Sequence, residues 1–141
     1  MKKEVEKLLQ YVQKPARYIG GELNAVVKDK DKVDIRYAFC FPDTYEIGMS
    51  HLGMKILYGL VNDREDSWCE RVFAPDNDME EQLRKNNVPL FALESGDYIK
   101  DFDMIGFTLQ YELSYTNVLN MLNLAQIPLK SSDRENLTPL I

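Results

Sequence analysis

The sequence predicts a parallel, doubly wound α/β sheet, and three observations support this fold class. Apolar, strand-like runs alternate with helix-like segments along the 141 residues. The run at residues 37–41 is almost continuously apolar, which is typical of a central strand covered on both faces. Strands that alternate with helices are joined by right-handed crossovers, so neighbouring strands lie parallel.

Residues 1–32 are predicted to form an N-terminal helix and an extended arm ahead of the sheet. Apolar residues recur at helical spacing across residues 2–13, and Pro15 prevents the helix from continuing. Residues 17–28 are interpreted as the extended arm. Residues 33–141 then form the α/β domain.

Three strands and three helices are predicted in the α/β domain. The strands cover residues 33–41, 68–74 and 103–110, and the helices cover about residues 50–62, 78–87 and 113–125. The spacing Asp78-x-x-Glu81 resembles a capping box at the start of the second helix. Residues 89–93 are a candidate for an additional short strand.

The first and third of these helices have amphipathic spacing. Leu52, Ile56 and Leu60 repeat every four residues, which is typical of a helix face packed on a sheet. The third helix carries one stripe of Ser114, Val118, Met121, Leu122 and Ala125, and another of Tyr111, Tyr115 and Leu122. We expect the second stripe to be core, with a docking surface as the alternative.

A new apolar run begins at residues 139–141, where the sequence stops. Sheets of this type usually contain at least four strands. We therefore interpret the sequence as a fragment of a longer protein, truncated before its fourth strand.

Composition narrows the function classes. The formal net charge of -6 argues against a nucleic-acid surface. No apolar run reaches the roughly 20 residues that span a bilayer, and the N-terminus lacks the apolar core of a signal peptide, so we expect a cytoplasmic protein without membrane contact. Cys40 and Cys69 lie in apolar strands without metal-ligand spacing and are interpreted as buried, reduced thiols.

The junction at residues 39–53 is the most informative segment. An apolar strand runs into a Pro-Asp turn, a loop with glycines follows, and then a helix begins. Ligands of open α/β sheets bind at such junctions, at the carboxyl end of a strand and the amino end of a helix. The end of the third predicted strand reaches the same edge and is expected to face the same crevice.

Ten residues from these two loops are candidate ligand contacts, and none is assigned a catalytic or metal-binding role. They are Asp43, Tyr45, Gly48, Ser50, His51, Gly53, Thr108, Gln110, Tyr111 and Glu112. Each also has a purely structural interpretation. Asp43 is then a turn residue, Tyr45 covers the sheet edge, Gly48 supplies a backbone angle, and His51 bonds the loop at the helix start. Residues 108–112 then cap the following helix.

The spacing Asp43-x-Tyr45-x-x-Gly48 has the form of the cobalamin-binding motif Asp-x-His-x-x-Gly, with tyrosine in place of the cobalt-ligating histidine. Longer blocks agree in order with one family. Residues 14–24, 41–57, 70–75 and 101–120 resemble the N-terminal region of bacterial and archaeal radical SAM proteins that carry a cobalamin-binding-like domain.

This resemblance implies a Rossmann-like, flavodoxin-like domain that receives cobalamin at the carboxyl edge of its sheet. It also implies a partner, a downstream radical SAM domain of the same chain. There, three cysteines spaced Cys-x-x-x-Cys-x-x-Cys would hold a 4Fe–4S cluster and S-adenosylmethionine. That motif is absent from this sequence, so we do not expect catalysis by this segment alone.

Two functions remain open from the sequence. A phenol with a pKa near 10 is a poor cobalt ligand, so any bound cobalamin is expected to have no protein ligand on its lower face. The alternative is a degenerate domain that binds no cofactor and serves as a scaffold or docking module. A nucleotide-binding domain ranks last, because the sequence contains no glycine-rich phosphate loop.

Overall fold

A computed structural model describes residues 2–141 and confirms the predicted α/β class. Three parallel strands form one open sheet in the order β2-β1-β3. They are β1 (Ile35–Phe41), β2 (Ser67–Phe73) and β3 (Met104–Phe107). The central strand β1 pairs with β2 along its whole length, from Ile35 opposite Ser67 to Phe41 opposite Phe73.

Helices cover both faces of the sheet, as a doubly wound fold requires. The α-helices are α1 (Lys3–Leu8), α2 (Tyr45–Ser50), α3 (Leu52–Asn62), α4 (Asn77–Asn86) and α5 (Ser114–Leu124). Short 3-10 turns lie at Leu9–Tyr11, Pro15–Tyr18, Lys30–Lys32, Ile99–Asp101 and Ser131–Asp133. Helices α1, α4 and α5 pack on one face with Ala38 and Cys40, and α3 packs on the other with Phe39 and Phe41. The prediction that β1 is buried on both faces is therefore confirmed.

The apolar run at residues 139–141 lies beside β3. Leu140 pairs with Met104 in an isolated parallel bridge. The Ile105 amide donates to the Leu140 carbonyl at 2.8 Å, and the Leu140 amide donates to the Asp103 carbonyl at 2.9 Å. The outer edge of β3 thus accepts a further parallel segment.

The helix predicted at about residues 50–62 is confirmed as α3, but a separate helix, α2, precedes it in the predicted loop. Helical structure begins at Tyr45 in α2, breaks at His51, and resumes as α3. His51 has extended backbone angles, φ −79° and ψ 111°, and its side chain caps α3. Much of the expected glycine-containing loop is therefore helical.

The predicted buried face of α3 is also wrong. Leu52, Ile56 and Leu60 are 69%, 52% and 61% exposed, whereas Met54 and Tyr58 are buried. The Tyr58 hydroxyl accepts a hydrogen bond from the Val26 amide at 2.7 Å. The buried stripe of α3 is therefore the one that contains Tyr58. A buried hydroxyl needs a hydrogen-bond partner, and the Tyr58 hydroxyl has one in Val26.

In α5 one stripe is confirmed and the other is wrong. Ser114, Met121, Leu122 and Ala125 are buried and Val118 is half-buried, as the first stripe predicts. Tyr111 and Tyr115 are exposed rather than core.

Three further boundaries differ from prediction. Asp76, not Asp78, is the N-cap of α4, and Asp78 instead accepts a bond from the Gln13 amide at 2.8 Å. The expected strand at residues 89–93 contributes only an isolated bridge between Phe91 and Tyr98. Strand β3 ends at Phe107 because the chain leaves the sheet toward α5.

The arm packs on the α/β domain. The Trp68 indole donates to the Val26 carbonyl at 3.0 Å, and the Lys28 ammonium donates to the Asn62 carbonyl at 2.8 Å. Gly20 has a φ of +68°, and a Cβ atom there would lie 2.6 Å from the Leu93 carbonyl oxygen. The arm therefore turns at a position that only glycine fits. Across residues 2–141 the helices are too short or too polar to cross a bilayer.

Candidate ligand-binding site

A pocket of about 220 Å³ opens at the carboxyl edge of the sheet, where the loops after β1 and β3 meet. Chain connections leave β1 and β3 on opposite faces at this point, which is the usual place for a ligand in an open α/β sheet. The lining residues are Phe41, Pro42, Asp43, Ile47, His51, Gln110, Tyr111 and Ser114. The structure thus brings together residues from both predicted loops.

Hydrogen bonds fix the two sides of the pocket relative to each other. The Asn117 side-chain amide in α5 donates to the Pro42 carbonyl at 2.9 Å. The Asp43 carbonyl accepts from the Ala74 amide at 3.0 Å, and its carboxylate accepts from the Thr44 amide at 2.7 Å. Asp43 therefore acts as a turn residue and also lines the pocket.

His51 lies in the pocket wall, and two contacts orient its ring. Its Nδ1 accepts a hydrogen bond from the Met54 amide at 3.2 Å. Its ring tilts against the Phe41 ring with centroids 5.2 Å apart. A Cβ atom on Gly53 would lie 3.1 Å from the His51 Cε1 atom, so glycine at that position leaves room for the ring.

Tyr45 is turned away from the pocket. Its hydroxyl donates to Glu22 Oε1 at 3.1 Å, and its ring packs edge-on against Phe73 at 5.5 Å. Partial burial raises the pKa of Tyr45, and the carboxylate of Glu22 raises it further. The phenol is thus protonated and already bonded, and both conditions disfavour metal ligation.

Gly48 is buried inside α2 at a close helix–sheet contact. A Cβ atom there would lie 2.5 Å from Phe73 Cδ1 and 3.2 Å from Phe41 Cδ1. Packing against these two rings accounts for the glycine.

Of the remaining predicted contacts, some line the pocket and the others lie outside its lining. Gln110 and Tyr111 line the pocket, whereas Ser50, Gly53 and Glu112 do not. The Ser50 hydroxyl donates to the Ile47 carbonyl at 2.8 Å. Thr108 lies at the end of β3, where its Oγ1 is buried and lacks a hydrogen-bond partner among the described residues.

Four lining residues are absent from the predicted contacts, namely Phe41, Pro42, Ile47 and Ser114. The sequence predicts Ser114 on the buried face of α5, and the structure shows that it is buried there and also lines the pocket. Ile47 was assigned to a loop, and only the helical turn of α2 brings it to the pocket. Its proximity to the Asp-x-Tyr-x-x-Gly spacing was the available signal.

A buried ionic cluster behind Tyr45 was also missed. Arg71 Nε donates to Glu94 Oε1 at 2.6 Å, and Arg71 Nη2 pairs with Glu22 Oε2 at 3.3 Å. The Arg71 guanidinium also lies over the Tyr58 ring, 4.6 Å from its centroid. Burial raises the pKa of Glu94 even though Arg71 opposes the shift. The signal was a pair of charged residues, Glu70 and Arg71, inside an apolar strand.

The thiols play no part in the pocket. Cys40 and Cys69 are buried and free, and burial raises the pKa of both. Within residues 2–141, no group of histidine, cysteine, aspartate and glutamate side chains has metal-site geometry.

The fold and the crevice define a parallel α/β domain with a ligand pocket at its switch point. The family model described as "Radical SAM proteins, N-terminal" matches residues 53–141, and the chain belongs to this family. The match includes α4, β3, α5 and the second loop of the pocket, and begins two residues after His51. Neither a search of curated proteins nor a search of solved structures returned a significant match.

Proposed function

We propose that this chain is a corrinoid-binding accessory domain of a radical SAM enzyme. The observation that carries the proposal is the pocket between the loops after β1 and β3, in a chain of the radical SAM N-terminal family. This is the edge at which open α/β sheets receive ligands. The motif spacing from Asp43 to Gly48 supports a corrinoid rather than a nucleotide.

The size of the pocket limits what enters it. Pockets for small molecules usually measure about 300–1,000 Å³, and this one has about 220 Å³. It accommodates an amide arm or the nucleotide tail, while the corrin ring stays outside. Ile47 lines the pocket and is 51% exposed, and Leu52 and Leu113 are exposed neighbours in sequence of the lining residues His51 and Ser114, so apolar surface is available for a broad ring.

The polar groups of the pocket suit hydrogen bonding better than metal ligation. Gln110 supplies an amide, and His51 and Ser114 lie in the wall. Thr108, whose buried Oγ1 lacks a partner among the described residues, follows β3 but does not line the pocket. The Tyr45 hydroxyl is bonded to Glu22, so this side chain would not serve as a metal ligand.

The protein residues in this proposal bind and orient, and the cofactor carries the chemistry. A corrinoid without a protein ligand supplies methyl transfer or electron storage. Phe41 and Pro42 exclude water from the inserted arm, and Gln110 fixes its direction. Cys40 and Cys69 are buried in the sheet and do not suit a 4Fe–4S cluster, which a companion radical SAM domain of the same polypeptide would hold together with S-adenosylmethionine.

Retention of cobalamin tests this proposal. Hydroxocobalamin or methylcobalamin is added to the chain and to the full-length protein, followed by gel filtration and absorption spectroscopy. Ile47→Trp fills the pocket mouth and should abolish retention. Ile56→Trp is the matched control, because Ile47 and Ile56 are 51% and 52% exposed and only Ile47 lines the pocket. Wild-type full-length protein that retains no cobalamin refutes the proposal.

A degenerate scaffold is the second candidate, and the contacts of Tyr45 and Gly48 favour it. Glu22 binds Tyr45 and Phe73 packs on Gly48, so both motif positions have structural roles without a cofactor. A full-length enzyme lacking residues 1–141 should then fold poorly or lose a partner, while cobalamin has no effect on the intact protein.

A further inference from the structure

His51 uses one ring nitrogen for the protein and leaves the other free. Its Nδ1 accepts the Met54 amide hydrogen at 3.2 Å, as the N-cap of α3. An accepting nitrogen carries the lone pair, so the proton of the neutral ring is on Nε2. Among residues 2–141, no acceptor bonds Nε2.

The ring cannot easily exchange the roles of its two nitrogens. The centroid of the Phe41 ring lies 5.2 Å from that of the His51 ring, and this contact orients the imidazole. A proton on Nδ1 would face the Met54 amide, donor against donor, and leave that amide unpaired at the start of α3. The fold therefore selects the tautomer with Nε2–H.

We propose that His51 donates a hydrogen bond through Nε2–H to an oxygen of the pocket ligand and does not bind cobalt. This inference rests on the proposed corrinoid function. The acceptor is an amide carbonyl or phosphate oxygen, groups that the side arms of corrinoids carry. Cobalt ligation would need the Nε2 lone pair, which this tautomer does not offer.

His51→Asn and His51→Ala separate the capping role from the donor role. Asparagine is among the best N-cap residues, so His51→Asn keeps α3 capped but lacks a donor at the reach of Nε2. We expect His51→Asn to retain wild-type stability and to bind corrinoid about fivefold to tenfold more weakly, as for the loss of one hydrogen bond. His51→Ala should lose both stability and affinity.

Two probes identify the acceptor. Cobinamide carries the amide arms and lacks the phosphate and nucleotide base of cobalamin. Weaker binding of both probes by His51→Asn places the acceptor on an amide arm of the ring. Weaker binding of cobalamin alone places it in the nucleotide tail. Either result supports the proposal, and unchanged affinity for both probes overturns it.

Spectroscopy reads the ring directly, because His51 is the single histidine of the chain. Nitrogen-15 NMR of the free protein should show the Nε2–H tautomer, and the Nδ1–H tautomer overturns the inference. Electron paramagnetic resonance of bound cob(II)inamide should show no nitrogen splitting. A splitting that His51→Asn removes identifies cobalt ligation and also overturns the inference.

If the wild type binds neither corrinoid, the proposed function fails together with this inference. If the wild type binds and His51→Asn binds equally well, only this inference fails.

Discussion

The Tyr45 hydroxyl donates a hydrogen bond to Glu22 at 3.1 Å and joins the N-terminal arm to the first turn of α2. Glu22 also pairs with Arg71, whose guanidinium bonds the buried Glu94. The position that carries histidine in the cobalamin motif is therefore part of a chain of contacts from the arm through the sheet. This arrangement holds the arm on the domain and directs the aromatic ring away from the pocket.

Removing the Tyr45 hydroxyl should loosen the arm. Tyr45→Phe loses one hydrogen bond to a charged group, and we expect about 1.5–3 kcal/mol less unfolding free energy. Limited proteolysis near Gly20 should become faster. Tyr98→Phe is the control, because Tyr98 bonds Glu4 at an exposed site and should cost less. Equal effects of the two variants would contradict the structural role of the Tyr45 contact.

Replacing tyrosine by the motif histidine should not restore cobalt ligation. In Tyr45→His the side chain starts from the same helical position and meets Glu22 and Phe73 rather than the pocket. Cob(II)inamide bound to this variant should show no new nitrogen splitting by electron paramagnetic resonance. A new splitting would show that residue 45 can turn toward the corrin.

Two glycine variants should have opposite effects on stability. Gly48→Ala places a methyl group against Phe73 and Phe41, and overpacking of this kind costs about 1–3 kcal/mol. Gly59→Ala meets no atom within 4 Å and should stabilise α3 by about 0.5–1 kcal/mol. Urea unfolding measures both, and a neutral Gly48→Ala would show that α2 does not pack tightly.

The two faces of α3 can be compared by truncation. Met54→Ala removes a buried side chain and should lower the unfolding free energy by about 2–5 kcal/mol. Leu60→Ala removes an exposed one and should change it by about 0.5 kcal/mol or less. A larger loss of unfolding free energy for Leu60→Ala than for Met54→Ala would show that the face with Leu60 is the buried one, as the sequence predicts.

Alkaline pH should destabilise the fold through buried phenols. Burial, with a contribution from Asp78, raises the pKa of Tyr18 to about 12, and burial with Cys69 raises that of Tyr37 to about 12. The unfolded value is near 10, so the folded state holds these protons more tightly. Their contribution is complete below pH 10 and falls as the pH rises toward 12. Absorbance titration of the phenols and unfolding at each pH measure this, and Tyr37→Phe should weaken the dependence.

The sequence alone determined the order of strands and helices, the buried centre of the sheet and the edge where the pocket lies. These follow from local patterns. The apolar run in β1 suits only the centre of a sheet that is covered on both faces. Each strand passes into a helix at the carboxyl edge of the sheet, where the pocket lies. The family match, which covers residues 53–141, confirms the radical SAM part of the resemblance, and the cobalamin-binding part stays a prediction.

The direction of individual side chains depended on tertiary contacts. Two stripes of α3 have equally regular spacing, and the Tyr58 bond to Val26 decides which one is buried. Tyr45 turns to a carboxylate that lies 23 residues away in the sequence. His51 separates α2 from α3, where the sequence predicts a loop followed by one helix. Local spacing sets which residues share a face, but burial and hydrogen bonding with distant partners decide which face and which atom is used.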